Sequence, residues 1–156
     1  MNKISQIIST LFFIGYIKWA PGTIASFFSL IIIIFLNSVI NNNEFIILFF
    51  CILLVSIICI KIYSKSTIEH DAKEIVIDEF LGIYFITIFS YDLKILNNEF
   101  IKIFLILFLF RIFDIIKPYP ANLIDKKMKN SYGIILDDII AGVYTIIILI
   151  LINAFI

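Results

Sequence analysis

The stretch Phe110 to Gly142, FRIFDIIKPYPANLIDKKMKNSYGIILDDIIAG, decides how the chain is read. It joins two strongly apolar segments and carries two of the chain's three prolines, Pro118 and Pro120, together with Arg111, Asp114, Lys117, Asp125, Asp137 and Asp138. Arg111, Asp114 and Lys117 are spaced to share one side of a helix. That helix should stop near Lys117, because the residue before a proline is pushed out of the α region. A polar loop is expected next, with Gly133 as a flexible point before a new helix that carries two adjacent aspartates. Charges at the ends of long apolar helices are costly in a membrane and are functional candidates by default.

Outward from that stretch, composition sets the class. The 156 residues are 62% hydrophobic and only 15% charged, with mean hydropathy +1.12. A soluble domain would be nearer half apolar. The expectation is an all-α integral membrane bundle, one domain over residues 1–156, with four or five spans and an interfacial N-terminal helix. Runs at 24–40, 45–62, 101–116 and 139–156 supply clear spans. The run at 75–91 crosses only with its acidic start included, or else forms a short packed helix. A barrel is not expected, since the runs exceed the roughly 9–11 residues of a barrel strand. The net charge is zero, with no dense basic tract, so nucleic acid is not an expected partner. Cys51 and Cys59 lie in one apolar run and make no metal or disulfide framework. His70 is the only histidine, which excludes mechanisms that need two.

Residues 15–26, GYIKWAPGTIAS, are rich in small residues, with a turn at Pro21-Gly22 and Thr23 or Ser26 as caps for the following helix. If the spans alternate, Lys3, Lys18, Lys61, Lys65, Lys73, Arg111, Lys117, Lys126, Lys127 and Lys129 share one face, and only Lys94 and Lys102 lie opposite. The positive-inside rule makes the first face cytoplasmic. Lys18 with Pro21, Gly22 and Thr23, then Asp78-Glu79, Arg111-Asp114-Lys117 and Asp137-Asp138, all meet at that depth.

Five carboxylates at one interface repel unless a cation sits among them. With no histidine or thiolate, Asp78, Glu79, Asp114, Asp137 and Asp138 suit a hard ion, Mg²⁺ before Mn²⁺ or Ca²⁺. Lys18, Arg111 and Lys117 add donors for a phosphate, Arg111 best through its planar fork. The set fits metal-assisted phosphoryl chemistry. Neighbours on a helix point about 100° apart, so one acid of each doublet is expected at the metal and the other behind it or capping the helix. Gly82 and Gly142 lie one turn beyond the acids and permit close helix approach.

The motifs WAPGTIAS at 19–26, HDAKEIVIDEFLG at 70–82, FRIFDIIKPYP at 110–120 with Asp125, and GIILDDIIAG at 133–142 resemble the phosphatidylglycerophosphatase A family. They cover just over a quarter of the chain, in the family's order. The resemblance implies a Mg²⁺-dependent membrane enzyme that removes the terminal phosphate of phosphatidylglycerophosphate to give phosphatidylglycerol. It carries over Pro21, Gly22, Thr23, Asp78, Glu79, Arg111, Asp114, Lys117, Pro118, Asp137 and Asp138 as functional positions. The expected location is the inner membrane, multi-pass, with the site facing the cytoplasm and a phospholipid as substrate. Histidine-nucleophile lipid phosphatases, CDP-alcohol phosphotransferases and haloacid-dehalogenase phosphatases need a second histidine, a DG start or a D-x-D, none of which occurs. A small transporter or channel subunit using the acids as a cation site is the alternative.

Overall fold

The computed structural model describes residues 2–65, 72–90, 93 and 99–155. His70 and most of residues 92–99, where the sequence leads to the expectation of a polar turn, lie outside the described residues. The described chain is all helical: α1 (Lys3–Ser9), a 3-10 turn (Ile14–Tyr16), α2 (Pro21–Val39), α3 (Asn42–Ser64), α4 (Ile77–Ser90), α5 (Glu99–Ile116), α6 (Ala121–Lys127) and α7 (Ser131–Phe155). The expectation of an all-α membrane protein is borne out.

Local chemistry sets most of the boundaries. Pro21 opens α2 from its first turn, where the missing N–H costs nothing. Thr23 and Ser26 therefore lie inside α2 and cap nothing; Ser26 Oγ instead donates to the Gly22 carbonyl at 2.8 Å. Asn41 and Glu44 close a capping box on α3. α5 ends at Ile116, before the Lys117-Pro118 pair, as the pre-proline rule requires. Two expectations after that point need correction. The polar loop after Pro120 contains a helix, α6. The last helix also starts earlier than expected: the Asn130 side chain accepts from the amides of Tyr132 (3.1 Å) and Gly133 (2.9 Å), capping α7 at Ser131. Gly133 is thus helical, not a flexible point. Asp137 and Asp138 stand almost two turns into α7, too deep for a helix-dipole explanation.

Among the described residues, three helices are long and apolar enough to cross a membrane: α2, α3 and α7. α5 has 18 residues with charges at both ends, Glu99 and Lys102 then Arg111 and Asp114. α4 has 14 residues, about 21 Å at 1.5 Å each, short of a roughly 30 Å hydrocarbon core. It is the packed helix allowed for that segment, buried between α2, α3, α5 and α7. Leu81, Ile83, Tyr84 and Ile86 have no exposure. A helix apolar on every side belongs in such a position.

The crossing of α4 and α7 positions the acids. A Cβ on Gly82 would lie 2.6 Å from the Phe110 ring and 3.3 Å from the Asp138 carbonyl, and one on Gly142 would lie 3.4 Å from the Gly82 carbonyl. The two backbones approach because neither has a side chain there, which sets the acid doublets side by side as the glycine spacing suggests. Gly82→Ala should therefore cost about 1–3 kcal/mol through overpacking of fully buried Phe110. A lower thermal midpoint in detergent is the expected result, and an unchanged midpoint would contradict the close crossing.

Candidate active site

A cavity of about 420 Å³ opens at the end of the bundle where α2 and α4 begin and α5 ends. Asp78, Glu79, Arg111, Asp114, Asp137 and Asp138 all line it, with Pro21, Gly22 and Lys117. Four sequence segments far apart in the chain thus converge on one space. Lys18 and Thr23 do not line it; both are exposed beside the start of α2.

The five expected carboxylates divide into two groups. Asp78, Glu79 and Asp138 each bring one oxygen to within 4.8 Å of the others. Both members of the α4 doublet reach the same point, against the expectation of one in and one out, because Glu79 is a methylene longer and makes up the angular offset. The α7 doublet does split: Asp138 joins the trio, while Asp137 accepts from Lys117 Nζ. Asp114 also stands apart, receiving Arg111 Nη1 at 2.6 Å. Arg111 Nη1 lies 3.7 Å from Glu79 Oε1, so the guanidinium bridges the trio and Asp114.

The trio has more negative charge than its surroundings satisfy. Asp78 Oδ1, Glu79 Oε2 and Asp138 Oδ2 are buried without a hydrogen-bond partner, and so is Arg111 Nε. Two carboxylates at that spacing repel by roughly 3–4 kcal/mol at an effective dielectric near 20. Three acids that gather to within 4.8 Å, each with one orphaned oxygen, fit a hard cation, and the orphaned N–H of Arg111, whose guanidinium lies against Glu79, fits an anion.

Lys117 closes the other side. It adopts φ 45°, a left-handed conformation that costs a non-glycine residue on the order of 1–2 kcal/mol. Its ammonium donates to Asp125 Oδ1 at 2.9 Å and to Asp137, tying α6 and α7 to the end of α5. Burial lowers the Lys117 ammonium, but its two carboxylate hydrogen bonds outweigh that and leave it above its ordinary value. The same hydrogen bond holds Asp125 below the usual carboxylate range. Gly22 explains the small-residue turn at the start of α2. A Cβ there would meet the Glu79 carboxylate and lie 3.0 Å from Arg111 Nη1, so a larger residue would displace the ends of those two side chains.

Lys73 and Lys129 also line the cavity and were not among the expected site residues. Lys73 falls inside the quoted motif at 70–82 without being singled out there, and beyond that both share only their position on the basic face, as many exposed lysines do. Cys51 is exposed and Cys59 buried, both as free thiols.

The chain matches the family described as phosphatidylglycerophosphatase A over residues 7–153. A phosphatidylglycerophosphatase A of Haemophilus influenzae is 35% identical over 98 residues, covering 63% of this chain and 56% of the relative. One of Escherichia coli is 35% identical over 91 residues, 55% of this chain and 50% of the relative. A putative phosphatidylinositol-3-phosphatase of Bacteroides thetaiotaomicron is 32% identical over 81 residues, 51% of this chain and 48% of the relative. The chain spans about half the length of the curated relatives it matches. No solved structure matches it. The family match runs from α1 into the last turn of α7 and takes in every residue of the acid trio, so the chain belongs to the phosphatidylglycerophosphatase A family.

Proposed function

We propose that this protein is a membrane-embedded lipid phosphatase that removes the terminal phosphate of phosphatidylglycerophosphate and leaves phosphatidylglycerol. The observation that carries this is the pairing of opposites in one cavity: three orphaned carboxylate oxygens beside an orphaned arginine N–H. The first would hold a cation and the second an anion, and a phosphomonoester on a divalent ion satisfies both. The names of the two phosphatidylglycerophosphatase A relatives support the substrate, and the third relative's name also describes a phosphate on a lipid headgroup.

Asp78, Glu79 and Asp138 would hold the ion, and an all-oxygen donor set favours Mg²⁺. Bound there, Mg²⁺ would polarise the phosphoryl group and acidify an attacking water. The side chains of the chain itself do the rest. Arg111 presents its free edge to the phosphate and is held in orientation by Asp114. Lys117 adds a second positive charge while anchored to Asp125 and Asp137. Asp137, committed to Lys117, acts on the site through that lysine. The cavity lies at the ends of apolar helices, so acyl chains remain in the leaflet while the headgroup enters. The excess of basic residues on this face supports a cytoplasmic orientation in the inner membrane.

Phosphate release from phosphatidylglycerophosphate, phosphatidic acid and glycerol 3-phosphate, with Mg²⁺ and with EDTA, is the test. The first should be hydrolysed fastest, the soluble ester slowest, and EDTA should abolish all three. Equal rates on the soluble ester would defeat the membrane-docking account, and activity that survives EDTA would defeat the metal.

A further inference from the structure

We infer that Lys73 and Lys129 form a second anion subsite at the cavity rim, which takes the internal phosphodiester of a lipid bearing two phosphates and so sets headgroup specificity. This assignment rests on the lipid phosphatase function proposed above and adds to it the part of the headgroup that is not cleaved.

The cavity is larger than one phosphate requires. At about 420 Å³ it falls within the roughly 300–1,000 Å³ of sites that enclose whole small molecules. Its charge is only partly segregated, because Asp125, 30% exposed and within electrostatic reach of Lys129, lines it together with the lysines. The acid trio, Asp114 and Arg111 form the inner wall, with Arg111 and Asp114 side chains only 20% and 14% exposed. Lys73 and Lys129 line the same cavity but remain solvent-exposed, on two separate connections. Lys73 precedes α4 and Lys129 precedes α7, so the two come to the cavity from distant parts of the chain.

Neither lysine sits on a loose loop. Lys73 belongs to a turn in which the Ile75 amide donates to the Ala72 carbonyl at 2.8 Å, and the next amide, of Val76, donates to Ser9 of α1 at 3.0 Å. Lys129 belongs to the turn that caps α7, where the Asn130 amide donates to the Met128 carbonyl at 2.8 Å and the Asn130 side chain accepts from Gly133. Both backbones are pinned, so each flexible lysine side chain starts from a fixed base beside the cavity. A lysine is a compact charge without the bidentate fork of arginine, which suits a phosphodiester that must be held but not reacted.

Phosphatidic acid carries the terminal phosphomonoester without a phosphodiester, and this supplies the comparison. The measurement is kcat and KM for phosphate release from phosphatidylglycerophosphate and from phosphatidic acid, each in non-ionic micelles with Mg²⁺. For the wild type, kcat/KM should favour the two-phosphate lipid. In the double variant Lys73→Gln/Lys129→Gln that preference should fall about tenfold, through KM, as expected for two solvent-exposed ion pairs. Lys73→Arg/Lys129→Arg should retain the preference, which separates charge from any structural effect of the substitutions. A preference that persists in the glutamine variant, or one that falls equally in the arginine variant, would overturn the subsite. Wild-type protein that releases phosphate from neither lipid would overturn the phosphatase function itself, which is a separate result.

Discussion

Asp138→Asn should abolish turnover and, in EDTA, raise the thermal midpoint. Asp138 is 3% exposed, has an orphaned Oδ2, and shares its point of convergence with Asp78 and Glu79. Without a cation the three acids destabilise one another, and a neutral amide removes one of the charges while offering an N–H to the other two. The variant should therefore be more stable than wild type when metal is removed. With Mg²⁺ present the order should reverse, because a ligand that binds only the folded state stabilises by mass action and the variant has lost a ligand for it. Activity should fall by at least about a hundredfold, since even the supporting groups of metal sites are worth roughly 10–100-fold. Thermal unfolding with and without Mg²⁺, beside phosphate release, is the measurement. A variant that keeps both the Mg²⁺-induced shift and its turnover would remove Asp138 from the ion site.

The second large effect concerns stability. Lys117→Met should leave Asp137, 6% exposed, without its counter-charge and also release Asp125 from α5. Breaking a fully buried pair costs about 3–5 kcal/mol; here Lys117 is 28% exposed, and a loss on the order of 2–4 kcal/mol is expected. The pH dependence has a definite sign. Asp125 titrates below its ordinary value in the folded protein, so its pairing contributes stability above the usual carboxylate range and loses it as pH falls through the depressed value. Lys117 titrates above its ordinary value, so its share is lost only on strong alkalinisation. The deficit of the methionine variant should accordingly be full near neutral pH and shrink on acidification. Denaturant or thermal unfolding of both proteins from neutral to acid pH measures this, and a deficit independent of pH would show that Lys117 acts through packing alone.

Lys117 also shows where local rules stop. The pre-proline rule correctly ends α5 at Ile116, yet nothing in KPYP says that the lysine takes φ 45° and turns its ammonium toward two other helices. Strained backbone of this kind persists when its surroundings over-determine it, and here two carboxylates do so. α6 was hidden for a related reason. ANLIDKK is short and polar enough to pass for loop, and it is held as a helix between Pro120 and the α7 cap by contact with α7 and by the Asp125–Lys117 bond.

The sequence by itself determined the class of the protein, the helical runs, the motifs whose charged residues line one cavity and the oxygen-only chemistry of its candidate metal site. These follow from quantities that are local or additive: hydropathy over a window, proline and capping signals, and the count of acids against histidines. Which acids converge was decided only by the tertiary structure. Asp78 and Asp138 are 60 residues apart, and their meeting depends on the rotation of α4 against α7, fixed where Gly82 and Gly142 let the backbones close. One residue of helical phase turns a side chain by about 100°. The same doublet pattern therefore brings both acids of α4 to one point, with Asp138 facing them, while Asp137 turns away to Lys117.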